Sequence, residues 1–401
     1  MQSLTPGALD GVRILDLSRI LAGPGATQLL GDLGADVVKV EKPGEGDDTR
    51  KWGPPYIVGK DGRETDESAY YLSANRNKRS IAIDIASDAG RARLHRLLAQ
   101  ADVLVENYKV GGLARHGLDY AALRERYPRL VYCSVTGFGQ TGPYATRAGY
   151  DFLIQGMGGI MSLTGEAEGT PMKVGVGIAD VMTGMYAAVG ILAALRHRDA
   201  TGQGQHIDIS LLDSQIAWLV NAGTNYLASG QLPARLANGH PNIVPYQVFD
   251  AADGPMILAV GNDAQFRRFC EVAQIEDVAR DSRFSTNVAR IQHREAVCER
   301  VQAALRTRPR DSWLRSLEAV NVPCGPVNTL RDVFDDPHVQ ARGAHLRMDC
   351  DWARDGAVSL LANPLKLSAT PVSYRRPPPR LDEHVDEILR DWADDGTQPP
   401  A

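Results

Sequence analysis

Short apolar runs alternate with amphipathic stretches through the first half of the chain. Residues 12–17, 36–40, 80–85, 103–105 and 130–135 are aliphatic, β-branched segments too short for helices, and each reads as a strand. Helical patterns separate them. One runs from Pro24 to Leu33, with Pro24 in its first turn and Gly34 at its close; others cover 89–100 and, behind Asp119, 120–126. Such alternation predicts an α/β fold with a doubly wound, mostly parallel sheet, helices on both faces and right-handed connections. Further on, 185–195 is a strongly apolar helical run ending near Arg198. Residues 199–204 are turn chemistry, 205–209 a strand and 211–227 one long helix.

The pattern changes around 228–245, where Gly and Pro punctuate a linker. A second unit follows, with a strand at 256–260, Arg- and Glu-rich helices through Arg306 and over 312–319, and a loop or edge element at 322–327. The tail carries Arg375-Arg376-Pro377-Pro378-Pro379 before a helix over 382–390, which favours a docked extended segment over a free polyproline ligand.

Composition narrows the class. The 401 residues are 43% hydrophobic and 23% charged, with a net charge of −5, which argues against a general nucleic-acid binder. Five scattered cysteines without a CxxC pair predict free thiols and a reducing, cytoplasmic setting rather than a disulfide framework. No metal-ligand spacing, signal peptide or bilayer-length apolar run is visible, so neither a metal nor a membrane is expected.

Asp180 is the leading chemical candidate. A glycine-bearing approach, Lys173 to Gly177, delivers its carboxylate to the start of the apolar helical run. Helix N-termini carry partial positive charge, so a carboxylate there is expected to stay ionised and able to attack an activated carbonyl. An ordinary N-cap is the plain alternative. Gly23-Pro24-Gly25 invites a dinucleotide reading with Glu41 as the ribose acid, but Gln28 stands where the third glycine belongs. The same loop can cradle a phosphate-rich ligand at a helix N-terminus. The basic turn Asn75-Arg76-Asn77-Lys78-Arg79, with Lys42, Arg50 and Arg115, can hold phosphates or be a solvated turn. Gly137 and Gly139 allow close backbone approach to a ligand.

Several ordered fragments together resemble one family. They are Leu21-Ala22-Gly23-Pro24, Gly34 to Glu41, Asn77-Lys78-Arg79-Ser80, Val105-Glu106-Asn107-Tyr108, Ser134 to Gly139, the Asp180 segment and Thr201 to Gln205. The chain resembles the class III (CaiB/BaiF, formyl-CoA transferase-like) coenzyme A transferases. Glu45 to Arg50, Trp52 to Pro55, Arg147 to Asp151, Ile243 to Gln247 and Arg376 to Pro379 are similar to its dicarboxylate, succinyl-CoA:glutarate branch.

This resemblance implies Asp180 as nucleophile and coenzyme A contacts at Ile20, Ala22, Lys42, Asn77, Lys78, Arg79, Asn107, Tyr108 and Arg115. Backbone groups at Gly137, Gly139 or Gly261 would stabilise oxyanions, and Arg50, Lys173 or His240 would hold the far end of a dicarboxylate. Coenzyme A enters as a co-substrate, with no permanently bound cofactor; the partners are an acyl-CoA, a small carboxylic acid and a second copy in an interlocked homodimer. Residues 1–227, completed by 340–401, would form the large domain, and 228–339 the linker and a small α+β domain. Three departures bear on substrate. Leu21 replaces a glutamine of formyl-CoA transferases, which disfavours formate or oxalate; Thr136 replaces a lysine; and Gly261-Asn262-Asp263 replaces a mobile glycine loop. An α-methylacyl-CoA racemase is the rival activity, with Tyr150-Asp151 where relatives place a histidine before the aspartate. A non-catalytic coenzyme A-binding protein is the rival of another class.

Overall fold

The computed structural model describes residues 6–392. Six strands form an all-parallel sheet: β1 (Arg13–Asp16), β2 (Asp36–Glu41), β3 (Lys78–Ala82), β4 (Val103–Glu106), β5 (Val131–Thr136) and β6 (His206–Ser210). Their spatial order is β3-β2-β1-β4-β5-β6, so β1 pairs with both β2 and β4. Successive side chains of a strand point to opposite faces, and here both faces are buried. Ile14, Val37, Val105 and Cys133 enter one core; Leu15, Val38, Leu104 and Tyr132 enter the other. That is why the central strands read as mainly aliphatic and β-branched.

The first core is covered by α1 (Ala22–Asp32) and, after the short α2 (Asp88–Leu98) and α3 (Asp151–Met157), by the long α4 (Ile178–Thr201). The second core is covered by α2 and by the C-terminal helix Val385–Asp391. α4 corrects the expected length of the apolar run. It is 24 residues long, with an 18-residue stretch of mean hydropathy 1.8, long and apolar enough to cross a bilayer, yet Ala187, Ile191, Ala194 and Leu195 pack into the sheet core. It ends where Gly202 takes the left-handed conformation at φ +79°. α1 and α4 approach closely, because a Cβ on Gly184 would lie 2.7 Å from the Ala22 carbonyl oxygen. The expected helix over 211–227 is broken into Leu211–Ala217 and Val220–Ser229, with Val220 at φ +42°. Two hairpins were not expected: Tyr56–Val58 with Glu64–Ser68, and His345–Asp349 with Ala357–Leu361.

The tail returns to the parallel sheet. Asn363 donates to Asp32, Arg375 donates to the carbonyls of Gly31, Gly34 and Ala35, and Arg50 donates to the Pro379 carbonyl. The proline run is thus a docked extended segment.

The chain divides into two compact units, one of residues 1–160, 173–229 and 338–401, the other of 161–172 and 230–337. In the second, Tyr246–Ala251, Gly254–Ala259 and Cys324–Pro326 form an antiparallel sheet with Gly254–Ala259 in the middle. Phe249, Met256, Leu258, Phe266 and Trp313 fill its core.

Candidate active site

A cavity of about 320 Å³ opens at the carboxyl ends of β1 and β4. The sheet order reverses direction between these strands, so their following loops part and leave a crevice. Ile20, Ala22, Asn107, Tyr108, Gly137 and Asp180 all line it.

The loop after β1 is built from buried charge. Asp16 accepts from the Ser18 backbone N–H and hydroxyl, from Thr27 and from the Lys78 ammonium. Burial disfavours its charge, but Lys78 and Lys39 outweigh that and hold it at about 2. Lys39 and Asp47, both fully buried, pair at 2.8 Å, and Asp47 accepts the Ile20 N–H at 3.2 Å. Ile20 sits at φ +75°, a costly conformation for a β-branched residue. It is held there from both sides, since the Asn107 amide accepts from the Arg19 N–H at 2.9 Å and donates to the Arg19 carbonyl at 2.7 Å. Gly23 is required for packing, because its Cβ would lie 2.3 Å from the Ser18 hydroxyl.

Asp180 is the third residue of α4, so it is neither the N-cap nor an amide-bonded anion. Gly177 is the N-cap, and the first amides are taken by another helix: Asp151 Oδ1 accepts from Ala179 N–H at 2.8 Å and from Asp180 N–H at 3.4 Å. Gln155 donates to Asp151 Oδ2 at 2.7 Å and fixes that carboxylate. Burial, and then the Asp151 charge, push the Asp180 carboxyl up to about 7. The expectation of a firmly ionised carboxylate is corrected accordingly, for the amides that would have stabilised it serve Asp151. Tyr70 stands beside the pair; burial and then the charges of Asp180 and Asp151 raise its hydroxyl to about 12.

The remaining sequence candidates separate. The basic turn is an internal scaffold. Arg76 and Asn77 donate to Asp32, Lys78 donates to Asp16 and to the Pro24 carbonyl, and Arg79 pairs with Asp36, Glu387 and Asp391. All four are buried and engaged within the fold. Lys42 is exposed and paired with Glu45, and Arg115 bonds to His116; neither lines the cavity. The Gly139 N–H donates to Thr136 Oγ1, and the Gly261 N–H, in the second unit, to Gln265. Both amides are therefore already used. Gly137 lines the cavity, pressed against Gly149, whose Cα would lie 2.6 Å from a Cβ at that position.

Of the three residues expected to hold a second carboxylate, Arg50 is buried and engaged by Glu41, Glu67 and Tyr71. Glu41, the supposed ribose acid, is spent on that pairing. Lys173 donates to the Val174 carbonyl, and His240 lies in the second unit, where its ring accepts from Asn242 N–H. Sequence reasoning missed Arg19, Lys109 and Arg147 in the cavity wall and the capping role of Asp151. The fragment Arg147 to Asp151 was the available signal. Among the described residues no group of three or more His, Cys, Asp or Glu is placed to hold a metal ion.

Comparison with known proteins agrees with this architecture. A family model described as CoA-transferase family III matches residues 9–385. The chain is 51% identical over 383 residues to succinate–glutarate CoA-transferase of Agrobacterium fabrum, covering 95% of this chain and 94% of that one. It is 41% identical over 391 residues to human succinyl-CoA:glutarate CoA-transferase, covering 98% and 87%. A crystal structure of a CaiB/BaiF family protein from Brucella suis superposes with a TM-score of 0.85 at 47% identity, covering 96% of this chain and all of that one, with 100% matched. This chain belongs to CoA-transferase family III.

Proposed function

We propose that this CoA-transferase moves coenzyme A from succinyl-CoA to a small dicarboxylate such as glutarate through covalent intermediates on Asp180. The observation that carries the reading is a carboxyl group lining the cavity at the sheet's reversal point, whose surroundings among the described residues supply burial and a like charge but no hydrogen bond. Such a group is reactive once deprotonated. Its carboxylate attacks the thioester carbonyl, the C–S bond breaks, and coenzyme A leaves as thiolate from a mixed anhydride. The thiolate attacks the aspartyl carbonyl, releasing succinate and leaving an aspartyl thioester. The acceptor carboxylate displaces the thiolate to form a second anhydride. Attack of the thiolate on its acceptor carbonyl yields the new acyl-CoA and free Asp180. Thioester is exchanged for thioester, so the steps need no added energy source. Gly137 is the remaining backbone donor candidate for the oxyanions.

The names of the relatives support the dicarboxylate assignment. Ile20, Ala22, Asn107 and Tyr108 are the proposed coenzyme A contacts, since they line the same cavity. A second copy of the chain is the proposed partner. Val181, Met185, Val189 and Leu192 form a helical stripe of α4 that stays 37–63% exposed, a surface suited to burial against another subunit. A reducing, cytoplasmic setting fits the five free cysteines.

The test is incubation with succinyl-CoA followed by hydroxylamine and mass spectrometry of the Asp180 peptide. A hydroxamate on Asp180, and loss of transfer in Asp180→Ala, are expected. Transfer that survives in Asp180→Ala with no adduct would sink the scheme.

A further inference from the structure

Arg147 is a cation of the cavity wall that is seated on aromatic rings rather than on a carboxylate. Arg19, Lys109 and Arg147 contribute positive charge to the lining. Arg19 is spent on Asp48 at 2.9 Å and also lies over the Tyr108 ring. Lys109 follows Tyr108 beyond β4 and borders a neighbouring cavity as well. Arg147 has no carboxylate partner among the described residues. Its guanidinium instead lies over the rings of Tyr144, 4.5 Å from the centroid, and Phe138, 5.1 Å away. Those two rings meet edge to face at 5.6 Å, which makes a fixed aromatic corner.

A guanidinium seated on ring faces is oriented without spending its in-plane N–H donors, and those donors match a carboxylate in a two-pronged geometry. Among the described residues the single polar contact of the Arg147 head is a weak one, with Met157 Sδ at 4.0 Å. Arg147 is also tied to the reacting group. It lies four residues before Asp151, whose carboxylate holds the amides of Ala179 and Asp180. The cation and the nucleophile therefore share one cavity through one short stretch of backbone.

We propose that Arg147 binds the remote carboxylate of the acyl group, so that the enzyme selects acids with a second carboxylate two or three methylenes beyond the reacting one. This rests on the assignment of Asp180 as the acyl acceptor. Arg147 is itself solvent-exposed, and a monocarboxylate of equal length leaves it facing an alkyl end and forfeits a charge-assisted pair. Lysine at this position supplies the charge without the fork and only partly replaces it.

The experiment compares wild type, Arg147→Met and Arg147→Lys with two acceptors, glutarate and valerate, using succinyl-CoA and butyryl-CoA as donors. For the glutarate and succinyl-CoA pair, Arg147→Met is expected to lose ~30- to 100-fold in kcat/KM, mostly through KM. For the valerate and butyryl-CoA pair it loses less than about threefold, and Arg147→Lys falls between. Equal losses with both pairs, or an unchanged KM for glutarate, overturn the proposal. Failure of the underlying reading looks different: transfer then survives in Asp180→Ala and no hydroxamate forms, whatever the ratio between the two acids.

Discussion

Asp151 accepts the N–H groups of Ala179 and Asp180 and thereby takes the helix terminus that would otherwise favour a charge on Asp180. The two carboxyl groups have unequal surroundings, one answered by amides and the other facing a cavity. Deprotonated Asp180 is the attacking form, so kcat/KM is expected to rise with pH through about 7 and level off above it. Asp151→Asn keeps an oxygen for the two amides and removes the neighbouring negative charge. The rising limb should then move to lower pH, by less than the full displacement, because burial is the larger cause and persists. A pH–rate profile that stays in place would show that Asp151 does not tune its neighbour.

Two glycines of α4 should respond oppositely to alanine. Alanine improves helix propensity by about 1 kcal/mol at either. At Gly184 the new methyl would lie 2.7 Å from the Ala22 carbonyl oxygen, a backbone atom at the start of α1 beside the cavity. Overpacking of this kind costs ~1–3 kcal/mol, so Gly184→Ala should be less stable and less active. At Gly190 the nearest atom is the Ile207 Cγ2 methyl at 3.3 Å, which can give way, so Gly190→Ala should be neutral or more stable. Urea unfolding midpoints and transfer rates check both.

Glu106 ends β4 and is buried. It accepts the Tyr108 N–H at 2.8 Å, and burial pushes its carboxyl up from 4.5 to about 7. Below 4.5 the folded and unfolded chains both carry the proton. As pH rises toward 7 the unfolded chain ionises first, and stability is lost until the folded group ionises as well. Glu106→Gln removes that penalty. It should be more stable than wild type by up to ~3 kcal/mol above neutral pH, with the gap closing toward pH 4.5. Stability curves at several pH values would show it; a constant gap would contradict the account.

The parallel sheet was legible because β2 and β5 bury both faces and so are dominated by aliphatic and β-branched residues, interrupted only at Lys39 and Ser134 within them. The basic turn was not, because its neutralising partners are remote. Asp16, Asp32 and Asp36 precede it by dozens of residues, and Glu387 and Asp391 follow some three hundred later. A local window sees only the cations. The same limit hid Asp151, which reaches α4 from a helix 29 residues before Asp180 and takes the amides that an apparent cap would have used. Arg50 misled for a similar reason, since Glu41 and Glu67 meet it only after folding. The break before Val220 left no glycine or proline at the kink to announce it.

Asp32 is satisfied by Arg76 and Asn77 and then by Asn363, while Arg375 closes over the carbonyls beyond it. On the ribosome, those last two partners emerge only after all six strands of the parallel sheet. A nascent chain that has already made all six sheet strands still carries an under-bonded acid and open backbone near α1. Emergence of Asn363 and Arg375, rather than synthesis of the sheet, therefore sets the moment at which the transferase unit can lock, and premature termination before residue 363 should leave a species that chaperones retain.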